Sequence, residues 1–330
     1  MIDRRQVLLG TAAALALSRF SWLSPAQAAD TVQTLKVASV KFGSLSWLLD
    51  TVRSNGIDKA NGLQIDIREV ATSQSGPIAL LAGEADVIVS DWTWAMRQRG
   101  MGVKLKYAPF SSALGAIMVP AGGKVSKLQD LSGKKLGVAG SAIDKSWLLL
   151  RGYSRKTLGK DIADMATPTF GTAPLLSEEL RSGRLDGVLN FWTYAARLQS
   201  EGYVELLRMD SVLKDLGVAP VPSMVGFVWS EETEKTKGPQ IAAFLKSMAQ
   251  GNEVLRTDEA WERLRPLIKP SSDAELKSIA QFYKSGIPKP WAGAETQAAQ
   301  KLMNLLIDVG DQELVGHGTK FDAELFHVAS

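Results

Sequence analysis

The stretch LLAGEADVIVSDWTWAMR (residues 80–97) returns one hundred positions later as LRSGRLDGVLNFWTYAAR (residues 180–197). Seven of the 18 positions are identical: Leu80/Leu180, Gly83/Gly183, Asp86/Asp186, Trp92/Trp192, Thr93/Thr193, Ala95/Ala195 and Arg97/Arg197. Ordinary residue usage gives roughly one match in such a pair. The duplication therefore predicts two similar lobes. Two lobes leave a cleft, and a cleft takes a ligand.

Each copy reads as helix, glycine, aspartate, strand, Trp-Thr, helix. The glycine supplies the left-handed turn that ends the first helix. Asp86 and Asp186 stand at strand entries, where turn and capping chemistry explains them. The Trp-Thr pairs follow strand carboxyl ends, and Thr93 and Thr193 are expected to cap the next helices. Around the first copy, Leu35–Ser39, Gln64–Val70, Val87–Val89 and Val103–Tyr107 read as strands, with a helix at Leu45–Val52. Around the second, Leu136–Val138, Val188–Leu189 and Tyr203–Leu207 read as strands, with a helix at Ser146–Leu158. Alternating strands and helices predict an α/β fold in which each lobe is a mostly parallel sheet flanked by helices. Ala113–Pro120 and Ser223–Trp229 fall outside the repeat and bracket its second copy, so they read as two crossings between lobes. Four helices follow, at Gln240–Leu255, Asp258–Leu267, Asp273–Ser285 and Ala294–Val309, and are expected to pack on the first lobe. The expected limits are 1–28 for an export segment, 29–117 and 226–330 for the first lobe with its C-terminal helices, and 118–225 for the second.

The export segment rests on Arg4-Arg5, the apolar run Leu8–Leu17 and the small residues Ala26-Gln27-Ala28. This is the layout of a bacterial secretory signal, and the paired arginines suit the twin-arginine route. Arg4, Arg5 and Arg19 against Asp3 account for two of the chain's three net positive charges. The remainder is close to neutral and has no basic block, which gives no support to nucleic-acid or membrane-surface binding. The chain has no cysteine, which excludes disulfides, thiolate metal sites and cysteine nucleophiles. Its two histidines, His317 and His327, lie in the tail. No nucleophile–base pair, metal motif or cofactor fingerprint is present, so no catalytic residue, metal or cofactor is expected.

Open α/β sheets bind ligands beyond the carboxyl ends of their strands. The loops at those ends supply the candidate ligand contacts. In the first lobe they are Phe42, Ser44, Trp47, Ser73, Gln74, Asp91, Trp92 and Ser111. In the second they are Ser141, Asp144, Thr172, Asn190 and Trp192. Tryptophan rings can stack on a planar ligand or cage a cation, although several of them can equally be core. Asp91 faces Phe191 in the alignment of the copies. It either accepts a hydrogen bond from an amine or ring N–H, or caps its helix, and Asp144 has the same two readings.

These features together resemble a known family. The GS loop after the first strand, SGP (residues 75–77), LLAGEADV, LQDLSGKKLGVAG (residues 128–140) and LRSGRLDGV are similar to the periplasmic solute-binding proteins of nitrate-, sulfonate- and taurine-type ABC importers. The resemblance covers about residues 33 to 230. It implies a type II binding-protein fold, periplasmic location, a small-molecule ligand, a transient membrane permease partner and a monomer. The cleft tryptophans, and loops without arginine, argue against a simple inorganic oxyanion and for a small polar organic ligand of sulfonate, amine or heterocycle type. The alternatives are a periplasmic accessory protein that hands its ligand to an enzyme or sensor, and an enzyme of the pyrimidine-synthesis branch.

Overall fold

In the computed structural model, residues 33–41, 43–72, 74–310 and 319–328 are described. The expected export segment and its cleavage site lie outside these residues, as do Phe42, Ser73 and His317.

The chain opens with β1 (Gln33–Val40), α1 (Ser44–Ser54), the short α2 (Ile57–Ala60), β2 (Leu63–Val70), α3 (Ser75–Leu81), β3 (Ile88–Asp91), α4 (Trp92–Gly100) and β4 (Leu105–Ser111). It continues through β5 (Ala116–Pro120), β6 (Lys135–Ala139), α5 (Lys145–Leu158), α6 (Ile162–Met165), β7 (Thr167–Gly171), α7 (Ala173–Arg181), β8 (Gly187–Asn190), α8 (Trp192–Ser200), β9 (Tyr203–Arg208) and α9 (Met209–Asp215). It closes with β10 (Val225–Ser230), α10 (Glu231–Val254), α11 (Asp258–Ile268), α12 (Asp273–Ser285) and α13 (Gly293–Gly310).

Two lobes result. The first holds the β3-β10-β4 sheet, with the β1-β2 pair joined through a parallel bridge between Val37 and Val87. The second holds the sheet β7-β6-β8-β5-β9. β6 runs parallel to β7 and β8, as strands linked by helical crossovers must. The two segments outside the repeat carry β5 and β10, and each runs antiparallel to both of its neighbours. The repeat strands point their carboxyl ends at the cleft. A strand arriving from the other lobe starts at the cleft and therefore runs the opposite way. Gly226 lets β10 enter, because a Cβ there would stand 2.2 Å from the Tyr107 ring.

The duplication is visible atom by atom. Gly83 and Gly183 hold left-handed φ angles of 73° and 72°. The N–H of Lys36 donates to Asp86 Oδ2 at 2.8 Å, and that of Lys135 donates to Asp186 Oδ2 at 2.9 Å. In return, the Asp86 and Asp186 amides donate to the Lys36 and Lys135 carbonyls, both at 2.9 Å. Each aspartate thus clasps its lobe's first strand to the strand it begins.

The threonines do not cap as expected. Asp91 caps α4, accepting the Trp94 N–H at 2.8 Å, and Thr93 Oγ1 donates to the same carboxylate. Phe191 stands at the cap position of α8, which has no side-chain cap.

The C-terminal helices divide between the lobes instead of all packing on the first. α10 packs on α1, α2 and β10, and α11 on α1, whereas α12 packs on α8 and α13 on α5. Polar contacts across the α12–α8 seam explain the difference. Arg197 pairs with the buried Glu275, and Ser278 Oγ donates to Gln199 at 3.1 Å. Residues 319–328 then return to the first lobe. Phe326 stacks on Trp291 (ring centroids 4.4 Å apart, planes 8° apart) and meets Tyr107 and Trp92 edge-on. Buried Arg99 ties this tail down, donating to Asp322 at 2.6 Å and to Glu231 at 2.8 Å.

Candidate functional site in the inter-lobe cleft

The strand carboxyl ends of the first lobe enclose a cavity of about 150 Å³. Its walls are largely apolar, with Val40, Leu45, Val89, Phe110 and Val225 among them, and Ser39, Ser44 and Thr72 contribute hydroxyls. α1 begins at this cavity and has no side-chain cap; the Ser46 N–H already donates to Gly43 O at 2.9 Å, which leaves those of Ser44 and Leu45 for an acceptor.

Two residues along the chain from the cavity walls Leu45 and Val89, at Trp47 and Asp91, the lobes meet. Trp47, from α1, lies edge-on to Trp192 at the start of α8, with ring centroids 6.2 Å apart. Trp261 and Tyr283 complete the aromatic cluster, at 6.0 and 6.4 Å from Trp47. The second contact is an ion pair: Lys145 Nζ, at the start of α5, is 3.3 Å from Asp91 Oδ2. Both side chains are only 27% exposed.

The electrostatics around this pair are asymmetric. Burial pushes the Asp91 carboxyl up, but the Lys145 ammonium, the Thr93 hydroxyl and the Trp94 N–H together hold it below its ordinary value. Asp144 caps α5, accepting the N–H groups of Ser146 at 2.9 Å and Trp147 at 3.4 Å. Burial nevertheless raises it, and the nearby Asp91 charge adds to the rise. Among the described residues no cluster of His, Asp or Glu is arranged to hold a metal. No described helix is long and apolar enough to cross a membrane.

The model of the family described as NMT1/THI5 like matches residues 54–259, more than half of the chain. The chain belongs to the NMT1/THI5-like family. Among solved structures it is similar to the alkanesulfonate-binding protein SsuA of Xanthomonas axonopodis pv. citri bound to MOPS (17% identity, TM-score 0.67), covering 90% of this chain and 98% of that one. It is equally similar to the periplasmic aliphatic sulphonate-binding protein SsuA of Escherichia coli (17%, 0.67), covering 84% and 87%. The desulfurization enzyme DSZB matches at 11% identity and TM-score 0.55, over 84% and 92%. Among curated proteins no sequence matches. At these identities the likeness is one of fold, and it bears out the two-lobed binding-protein architecture that the sequence predicts.

In this NMT1/THI5-like chain the candidate contacts separate into groups. Ser44 lines the first-lobe cavity. Trp47, Trp192 and Asp91 sit where the lobes touch, and Asp144 adjoins Asp91. Gln74, Ser141 and Thr172 are exposed in their loops. Ser111 ends β4, and its hydroxyl accepts the Ala113 N–H at 3.2 Å in the first crossing. Asn190 is buried and fully engaged: its amide donates to Ala173 O at 3.2 Å and Ser177 Oγ at 3.0 Å, and its Oδ1 accepts the Phe191 N–H at 2.9 Å. It positions α7 and the Phe191 turn. Trp92 is core, fully buried against Phe326, and does not face Trp192. Sequence reasoning missed Lys145, which follows Asp144 directly. The signal was present as a cation at a strand-end loop, one residue past the stretch considered.

Proposed function

We propose that this protein is the substrate-binding component of an ABC-type importer, taking a small polar organic ligand of sulfonate, amine or heterocycle type into the inter-lobe cleft. One observation carries the reading. A partly apolar cavity at the strand ends of one lobe has walls, Leu45 and Val89, two residues along the chain from Trp47 and Asp91, whose contacts with Trp192 and Lys145 reach across to the other lobe. Family membership and the sulfonate-binding relatives support a substrate-binding role.

In this reading residues 29–117 and 226–268 form the body of one jaw, and 118–225, carrying α12 and α13, form the other, rotating about Ala113–Gly115 and the segment before β10. Ligand stabilises the closed arrangement by differential affinity, and the closed form, a monomer, docks on a permease. Residues 1–28 direct export to the periplasm. Ser44 and the α1 N–H groups contact polar atoms of the ligand, and Trp192 covers its body. The protein performs no chemistry.

A thermal-shift panel of alkanesulfonates, nitrate, pyrimidines, amines and metal chelates tests this, since binding to the folded state raises the melting temperature. The expected result is a saturable hit that weakens in Trp192→Ala and in Ser44→Ala. A panel with no hit, or a hit indifferent to both substitutions, contradicts the proposal. So does product formation from a bound compound by the purified protein alone.

A further inference from the structure

A second cavity, of about 410 Å³, lies at the hinge. Both crossings line it, through Leu114 on the outward path and Ser223 on the return. Its remaining walls come from Arg208, Asp210 and Lys214 of the second lobe and from Ile287, Lys289 and Trp291 beyond α12. The volume falls within the range that small-molecule sites occupy. Ser112 pins this region, its N–H and hydroxyl both donating to Gly286 O at 2.9 and 3.2 Å.

Among the described residues, one cation at the cavity lacks an ion pair. Asp210 is already shared between Arg208 at 3.0 Å and Lys214 at 3.6 Å. Glu295 accepts the Ala292 N–H at 3.1 Å. Lys289 is exposed and has no ion-pair partner among the described residues. Arg208 also pairs with Glu205 at 3.3 Å, so Lys289 is the lining cation left without an ion pair among the described residues, over a floor of Leu114, Val221, Ile287 and Trp291.

We infer that the hinge cavity is a second ligand site, separate from the cleft, for a small organic anion with an apolar body. Lys289 binds its charged group, with Lys214 at the same rim, and Trp291 packs against the body. Because the walls belong to both lobes, an occupant's affinity changes as they rotate. By linkage, its binding biases that rotation.

The test uses the full chain labelled with 5-fluorotryptophan, its Trp291 resonance assigned through Trp291→Phe. Benzoate is the probe and benzamide its neutral isostere. Benzoate is expected to shift the Trp291 signal saturably, and benzamide at least tenfold more weakly. Lys289→Glu, at an exposed position, is expected to weaken benzoate about tenfold, the ratio set by one lost charge contact, with an unchanged melting temperature. Trp192→Ala is expected to leave the titration intact, which separates this site from the cleft. The inference is overturned by the absence of a saturable shift, by equal binding of benzamide, or by a response kept in Lys289→Glu and lost in Trp192→Ala.

Discussion

Removing the ammonium of Lys145 should open the cleft. At 3.3 Å from Asp91, with an effective dielectric near 20, the gross attraction is roughly 5 kcal/mol. Both groups retain some solvent, and opening returns their hydration, so the net contribution to closure is about 1–2 kcal/mol. Lys145→Met should therefore lower the ratio of closed to open molecules about 5- to 30-fold. Because the chain has no cysteine, Ile78→Cys and Leu175→Cys can carry a unique pair of spin labels. These positions lie on α3 and α7 of opposite lobes and are 69% and 54% exposed. Pulsed dipolar spectroscopy then reads the inter-lobe distance distribution. Asp91→Asn removes the charge while keeping a good helix cap. The long-distance population should grow in each single variant, and the double variant should add little. Distributions that match the parent in both single variants, or effects that simply add, would refute the ion pair as a closing contact. Acid should act in the same direction. Because the Asp91 carboxyl is held low, its contribution persists at neutral pH and disappears as pH falls through that depressed value.

Trp92→Ala should destabilise the fold by about 3–5 kcal/mol, because the ring is fully buried against Phe326. A guanidinium midpoint close to the parent's would place the ring elsewhere. Asp86→Ala should cost about 2–3 kcal/mol and Asp186→Ala about 1 kcal/mol, since Asp86 also holds the Lys237 ammonium at 2.7 Å whereas Lys134 is 3.9 Å from Asp186. Equal losses in the same denaturation assay would show that the Lys237 pair adds nothing. Asp144→Asn keeps the α5 cap and removes a carboxylate whose folded value is raised, so it should increase the melting temperature at neutral pH. The gain should vanish in acid, where the parent carboxyl is protonated both folded and unfolded. A variant less stable than the parent at neutral pH would contradict the burial penalty.

The repeat made the fold legible because its decisive residues act locally. Gly83, Gly183, Asp86 and Asp186 do their work within a strand, a helix end and a neighbouring strand, so the same letters give the same geometry twice. The site was legible only in part, because its residues answer to partners far along the chain. Trp92 and Trp192 occupy equivalent positions in the repeat, yet Phe326 covers the first and Trp47 meets the second. No pattern around residue 92 announces a tail residue more than 200 positions away. The aspartates show the same limit: position 91 finds a lysine across the cleft, while its counterpart is Phe191. The seam that draws α12 to the second lobe depends on Arg197 meeting Glu275, a pairing that helical periodicity cannot reveal.

The route of the chain also sets an order of assembly. The second lobe takes all five strands of its sheet from one uninterrupted stretch, Ala116 to Arg208. The first lobe waits for β10, and then for Asp322 to reach Arg99 from 223 positions downstream. As the polypeptide emerges from a ribosome or a translocation pore, the later-encoded lobe can condense while the earlier one is still missing pieces. The N-terminal jaw is thus the last to mature, and damage near residues 319–328 should register as a defect in the half of the molecule that was synthesised first.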